Sequence, residues 1–506
     1  MSLKAVLKNI NKNGVGRTWK AHKKNDRLRA RVNWASKLNS SFQESYMRDP
    51  NQDLSADERK ALAEFADHWS EWLDKQVELL ERYYLERPFK DLKGKKYREA
   101  MDDILELENL LKAHRKKGYR AVLKRMKACY IKERIPEIYA EVSQAPVVDK
   151  VVFVENVNCP SPSNAHLISV LKQEGKYAVV KIGLQRRKVS ELEYYENSLK
   201  FAREIGDAKA IFISTANDLL SSFDVRPETK VIQLWHGLGM FKKCGHSTVD
   251  NPNFGRGVKS RAEYDQYRNY SYVTIPAKAQ AWTFEDSMHI SQDSGILVDV
   301  GVARTDVFYS EQYRERSLEK LHQMIPESEG KKVILYSPTF RGSVGNAKAP
   351  NKLEIDKLAA ALSDEYVLVI KHHGTVKNVP EIPEEFRDKF AFDVTKRKYM
   401  SIDRLLSVAD IMITDYSSLG FEYAILERPI IFFAYDLEDY IDNRGIYYNY
   451  EDITPGPVYR TTDEIVDYVL HIEDRFDKQA VIDFKQEYVG RCDGHATERT
   501  IALIES

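Results

Sequence analysis

Two histidine segments, an arginine and a pair of adjacent serines each stand at the end of an apolar run, where a folded sheet would present them to a ligand. In Gln233 to Gly245, QLWHGLGMFKKCG, His236 follows an apolar run and precedes a glycine-rich turn. Open α/β sheets collect ligands at the carboxyl ends of their strands, so this imidazole should face a cleft and can take a proton there. The plainer reading is a histidine satisfied inside the fold, although Gly237 and Gly239 favour exposure. Lys242 and Lys243 follow within reach of a phosphate, or are loop charges. A second run, VLVIKHHGTV, ends in Lys371-His372-His373. Neighbours on a strand face opposite sides, so the two histidines should diverge rather than share a metal. An imidazole at such a strand end can stabilise developing negative charge. YSPTFRG supplies Thr339 and Arg341, the latter with a planar fork suited to phosphate, or else an ordinary arginine at a surface strand end.

The stretch Val408 to Gly445 organises the second half. Ile413 and Thr414 end a short apolar strand, Asp415-Tyr416-Ser417-Ser418 forms a turn, and a helix runs through Phe421, Glu422 and Ala424 until Pro429 stops it. Unpaired N–H groups at a helix start and serine hydroxyls favour an anion, so a phosphate is one reading. Simple helix capping by Ser417 and Ser418 is the other.

These segments need elements to position them. Val151–Val154, Tyr177–Ile182, Ala210–Ser214, Val231–Leu234, Tyr272–Ile275 and Ile296–Val300 read as buried parallel strands alternating with helices. Val333–Tyr336, Tyr366–Ile370, Phe390–Asp393, Ile411–Thr414 and Ile430–Phe433 form a second such set. The expected organisation is a basic arm over 1–40, a helical hairpin or bundle over 41–148, one Rossmann-like domain over 149–315, a second over 316–480, and a C-terminal helix over 481–506 returning to the first. In the helical region Leu62, Phe65, Trp69, Trp72, Leu73, Val77 and Leu80 repeat at three and four. Trp69 and Trp72 read as core, with insertion into a lipid interface as the alternative.

Composition bounds the function. The 77 basic and 77 acidic residues of the 506 cancel, which argues against a nucleic-acid or other wholesale polyanion binder. The charge is uneven, however: residues 1–40 carry Lys4 through Lys37 against the lone acid Asp26. That arm is either a solvated tail or a tether to anionic lipid headgroups. Cys129, Cys159, Cys244 and Cys492 have no CxxC spacing, giving neither a zinc site nor a disulfide framework and suiting a reducing cytoplasm. No signal-peptide core or bilayer-length apolar run is present, so membrane work is expected from the surface.

TDYSS, an acid in the following helix, ERP, an apolar strand, YDLEDY and RG occur in this order, with Pro455-Gly456-Pro457 after them and Trp235-His236-Gly237 well before. Together they resemble the CDP-glycerol glycerophosphotransferase family, which builds teichoic acids and related capsule polymers, over roughly residues 150–500. The resemblance implies a GT-B-like pair of Rossmann-type parallel-sheet domains, here with an N-terminal helical region, the first domain on the acceptor side and the second on the CDP-donor side. It makes His236 the proposed general base and aligns His373 with a second active histidine, although Gly374 stands where proline is usual. It places Gly237, Lys242, Thr339, Arg341, Lys371, Asp415, Ser417, Ser418, Glu422 and Arg444 at the substrate. GVARTD resembles a G-x-P-R-x-D turn, with Ala303 in place of proline, and Arg304 and Asp306 are expected to be interdomain structure unless they stand in the cleft.

The resulting expectation is a bacterial enzyme at the inner face of the cell membrane that uses CDP-glycerol or CDP-ribitol. It would transfer the polyol phosphate to a lipid-linked polymer acceptor, releasing CMP, with no cofactor except a Mg²⁺ borne by the substrate. Another nucleotide-sugar enzyme of the same fold, a glycosyltransferase or an epimerase, is the alternative.

Overall fold

The computed structural model describes residues 135–506 apart from 156–161, 185–190, 252–264, 343–345 and 398. The basic arm and the Trp69/Trp72 helix lie outside the described residues. The chain divides between Arg134 and Ile135, and the second unit is described below.

Its first half is a six-stranded parallel sheet of β1 (Val148–Glu155), β2 (Ala178–Gly183), β3 (Ala208–Ile213), β4 (Lys230–Gln233), β5 (Tyr272–Thr274) and β6 (Leu297–Val298), in the order β2-β1-β3-β4-β5-β6. Runs such as Val151–Val154 are buried on both faces, which is why they read as continuous rather than alternating hydrophobics. Phe153 stacks on Phe212 at 4.8 Å, and Leu167 and Leu171 of the Pro162–Glu174 helix close the core over them.

The second half repeats the scheme with β7 (Lys332–Tyr336), β8 (Tyr366–Ile370), β9 (Ala391–Asp393), β10 (Ile411–Thr414), β11 (Ile430–Phe433) and β12 (Val458–Tyr459), in the order β12-β11-β10-β7-β8-β9. This is the doubly wound dinucleotide-binding order, and its direction reverses between β7 and β10. The Tyr336 and Thr414 ends therefore open onto the crevice where such sheets bind ligands. The short β12 is absent from the strands read in the sequence. It pairs with β11 only through Val458 and Tyr459, too short a run to show a pattern.

The crossing between the halves comes earlier than residue 315. The Glu311–Met324 helix packs on the Ile402–Val408 helix, and Leu321 and Ile325 join the core formed by Val333 and Leu335. At the other end the chain returns. After the Lys478–Val489 helix, Arg491 donates its backbone N–H to the Pro276 carbonyl at 3.1 Å, and Leu503 and Ile504 enter the core of the first sheet. The returning chain crosses so close to Gly301 (φ +83°) that a Cβ there would lie 2.1 Å from the Arg491 carbonyl oxygen, so only glycine fits.

Candidate active site

The carboxyl ends of the two sheets enclose a cavity of about 600 Å³. His236 reaches it through a sharp turn after β4. Trp235 adopts φ 57°, a left-handed conformation that costs a bulky residue on the order of 1–3 kcal/mol. The turn is held by the fully buried Gln233, whose Oε1 accepts the Trp235 N–H at 2.9 Å while its Nε2 donates to the Tyr270 hydroxyl at 3.0 Å. The His236 ring stands open to the cavity but is enclosed by protein on its other sides. That desolvation lowers its pKa, against the raising effect of a hydrogen bond to the backbone of Ser214 and with help from the Arg304 charge. A neutral imidazole that gives its N–H to a carbonyl keeps its other nitrogen as a proton acceptor.

The second domain supplies the facing wall. His372 and His373 follow the end of β8 rather than lying on the strand, and both line the cavity instead of facing opposite sides, but their surroundings differ. His372 is 6% exposed and turns beneath β7 toward Tyr336, with Nδ1 lacking a hydrogen-bond partner among the described residues. His373 is the exposed one. Its Nδ1 accepts the Thr375 N–H at 3.2 Å and lies 2.7 Å from the Thr375 hydroxyl. A backbone donor on Nδ1 assigns the proton of the neutral ring to Nε2, so His373 presents a hydrogen-bond donor rather than a base. Burial and the Lys242 charge both lower its pKa.

Three residues expected at the substrate do other work. Arg341 is absent from the cavity wall. Its Nε and Nη2 grip the Asp436 carboxylate at 2.7 and 2.9 Å, Nη1 donates to Asp415 at 3.0 Å and to the Thr339 carbonyl at 2.7 Å, and Nη2 also reaches the Tyr435 hydroxyl at 3.1 Å. These contacts occupy every donor a guanidinium has. Asp415 is likewise committed, its Oδ1 accepting the N–H of Thr339 and of Tyr416, both at 2.7 Å. The pair thus fixes the β7 and β10 turns against each other outside the cavity wall. Lys371 does line the cavity, but its ammonium donates to the carbonyls of Val394, Met400 and Arg397 at 3.0, 3.0 and 3.3 Å. It cinches a loop and has no donor left for phosphate.

The serines divide their roles. Ser417 Oγ accepts the Leu419 N–H at 3.3 Å and so serves the turn. Ser418 precedes the Leu419–Ala424 helix without making a capping bond, and its hydroxyl faces Gly237 across the cleft. Thr339 is buried on the same wall, and its hydroxyl accepts Lys242 Nζ from the opposite domain at 3.4 Å.

Lys242 and Arg444 sit where the domains are strapped together. Lys242 bridges Ile446 in antiparallel fashion, Lys243 donates its N–H to the Gly445 carbonyl at 3.2 Å, and Tyr447 donates to the Phe241 carbonyl at 3.1 Å. The Arg444 guanidinium donates to the Lys243 carbonyl and lines the cavity. Burial pushes Lys242 down to about 8, with Asp415 opposing the shift and Arg444 and Arg341 adding to it.

Arg304 and Glu422 are both in the cavity wall and paired with each other, Arg304 Nη2 reaching Glu422 Oε2 at 2.5 Å and Asp403 Oδ1 at 3.0 Å. Burial pushes the Glu422 carboxyl up to about 7 despite the guanidinium beside it. Asp306 stays out of the cavity wall. Its carboxylate accepts the N–H groups of Ala496 and Thr497 at 3.2 and 2.7 Å and caps the last helix. Sequence reasoning missed Gln233 and Asp403. A buried glutamine one step inside a strand end was the available signal for the first, and nothing local marked the second. Among the described residues, no cluster of three His, Cys, Asp or Glu side chains could hold a metal ion, and no helix is long and apolar enough to cross a membrane.

Two facing doubly wound domains with a cleft between their strand ends define a GT-B-like architecture. Comparison with known proteins places the chain within that class. It belongs to the CDP-glycerol:poly(glycerophosphate) glycerophosphotransferase family, whose profile matches residues 158–506. It is 32% identical to a teichoic acid poly(ribitol-phosphate) polymerase of Bacillus spizizenii over 365 residues, 70% of this chain and 56% of that protein. It is 34% identical to a teichoic acid ribitol-phosphate primase of the same organism over 56% of this chain and 70% of that one. The chain thus spans little more than half of the first relative. The structure of the wall teichoic acid polymerase TagF shares the fold, with a TM-score of 0.61 and 23% identity over 76% of this chain and 97% of that one.

Proposed function

We propose that this protein transfers glycerol phosphate, or a related polyol phosphate such as ribitol phosphate, from a CDP-activated donor to a hydroxyl of a lipid-linked teichoic-acid or capsule acceptor. The acceptor oxygen attacks the donor's β-phosphorus, His236 takes its proton, and the bond to the bridging oxygen breaks so that CMP leaves with that oxygen. The Nε2–H of His373, the Ser418 hydroxyl, Lys242 and Arg444 meet the charge on the pyrophosphate. A Mg²⁺ arriving on the donor belongs to the substrate.

The observation that carries this reading is the pairing of a proton-accepting His236 on one wall with a proton-donating His373 on the other, both favoured as neutral rings in one cavity. Family membership and the polymerases and primases among its relatives support the donor class. Both ribitol and glycerol enzymes are represented, including a teichoic acid glycerol-phosphate primase of Bacillus subtilis at 32% identity. The deciding experiment incubates purified protein with CDP-glycerol, CDP-ribitol or UDP-sugars and follows acceptor-dependent CMP release. Turnover of a UDP-sugar alone would replace the phosphotransferase reading by that of a glycosyltransferase or epimerase.

The place of action belongs to the same proposal. A polybasic arm over residues 1–40 suits a peripheral enzyme on the anionic inner face of the cell membrane, where a lipid-linked acceptor would be met.

A further inference from the structure

One buried charged cluster in the cavity wall is unused by the proton and phosphate handling above. Arg304 lies in the Ala303–Tyr309 turn that follows the first sheet and is 7% exposed. Its Nη1 donates to the His236 carbonyl at 3.3 Å, while Nη2 holds Asp403 and Glu422. Both carboxylates come from the second domain, from the Ile402–Val408 and Leu419–Ala424 helices. The second of these helices begins directly after Ser417-Ser418. Glu422 also accepts a backbone hydrogen bond from Leu238. The carbonyl of His236 and the amide of Leu238 are therefore both anchored on one arginine–glutamate pair, and the glutamate belongs to the helix that carries the donor-side serines.

A buried ion pair is a poor source of net stability, since desolvation cancels much of the attraction, yet losing one partner is severe. Packing alone does not account for placing such a cluster at a cleft, whereas registration of two domains does. Resting on the reading of His236 as the base, we propose that Arg304 is a positioning residue that, through Glu422, holds the His236–Leu238 peptide in register with the Ser417-Ser418 turn. The same guanidinium also disfavours protonation of the imidazole. The other charged or titratable groups around the cavity are Lys242, Cys244, Lys371, Arg444, His372 and His373, and none of them is altered by the variants below.

The test compares Arg304→Met, Arg304→Lys and Glu422→Gln in the full chain. It uses CDP-glycerol and CDP-ribitol with acceptor, together with NMR titration of the His236 ring, assigned by loss of its signal in His236→Asn. Arg304→Met should lower kcat by about tenfold to a hundredfold, the scale of a misplaced reacting group, and leave donor affinity within about twofold. Removing a nearby positive charge raises the imidazole pKa, so the acid limb of kcat/KM and the NMR titration should both move up by about half a unit to one unit. Glu422→Gln should move neither by much, because the carboxyl it replaces, pushed up to about 7, is largely protonated across the acid limb; it should lower kcat by loosening the hold on the Leu238 amide. Arg304→Lys should keep the limb in place but recover only part of kcat, because an ammonium cannot make the forked contact. Loosened packing alone would lower activity in Arg304→Met without the upward pH shift. The inference is overturned if the His236 titration is unmoved in Arg304→Met, or if Arg304→Lys and Glu422→Gln both keep wild-type kcat. If Arg304→Met does not fold, the other two variants decide through kcat at unchanged donor affinity. An acid limb that persists in His236→Ala would defeat the base assignment instead, and the NMR titration would still report the Arg304 coupling.

Discussion

A Cβ placed on Gly237 of the first domain would lie 3.2 Å from the Ser418 hydroxyl of the second. The contact is tight but falls on a hydroxyl that can rotate. Gly237→Ala should therefore fold with little loss of stability and still impair the donor site by displacing Ser418. Ser418→Ala should weaken CDP-glycerol binding by about 1.5–3 kcal/mol, the usual loss for a hydrogen bond to a charged group. Ser417→Ala should instead cost about 1 kcal/mol of stability as a turn bond is lost, with donor affinity nearly unchanged. Calorimetric titration and thermal unfolding of the three variants check this, and equal donor affinity in wild type and Ser418→Ala would return that serine to a local structural role.

His236→Ala and His373→Ala should each lower turnover by at least about a hundredfold without unfolding the protein. His236→Ala should leave donor affinity intact, whereas His373→Ala should weaken it, because only His373 presents its N–H to the pyrophosphate side. Steady-state rates paired with donor titration distinguish the two. Near-normal rates in a folded His236→Ala enzyme would remove it as the base.

Arg341 should matter for stability before it matters for binding. Its side chain is 21% exposed and pairs with Asp415 and Asp436, each within hydrogen-bond distance. Removing one partner of a largely buried pair costs about 3–5 kcal/mol, so Arg341→Ala should lower the denaturation midpoint sharply. Arg341→Lys should recover little of it, since a point charge cannot reproduce the fork on Asp436. Denaturant unfolding is the measurement, and an Arg341→Ala protein as stable as wild type but unable to bind donor would reverse the assignment.

Donor binding should depend on pH through Lys242, which burial holds at about 8 in the free protein. An incoming pyrophosphate favours the protonated amine and raises that value. Affinity should therefore be full below pH 8 and fall as pH rises above it, by up to about tenfold per unit until the bound-state pKa is reached. CDP-glycerol suits the measurement because its diester phosphates do not titrate in this range. Lys242→Met should bind more weakly at neutral pH and show a flat profile there.

The full chain should sediment with anionic liposomes at low salt and be released at high salt, because attraction of the basic arm is screened within about 8 Å at physiological ionic strength. Deleting residues 1–40 should abolish most of this binding while sparing activity on a soluble acceptor analogue. Binding that survives both high salt and the deletion would point to apolar insertion by the region around Trp69 and Trp72.

The two-sheet organisation and the strand-end positions of His236, His373 and the Ser417-Ser418 turn are legible in the local residue pattern. Buried parallel strands are short, continuous apolar runs, and Ile411–Thr414 or Tyr366–Ile370 show this locally with no knowledge of their neighbours. What each side chain does at a strand end was decided only by tertiary structure. Arg341 and Lys371 carry the charge a phosphate would want, but Arg341 meets Asp436 from 95 positions away and Lys371 meets three carbonyls of a loop beyond β9. Arg304 and Glu422, 118 positions apart, become one unit only when the two domains face each other. Periodicity is a property of neighbours along the chain, whereas the partners that consume or free a hydrogen-bond donor are brought in by folding.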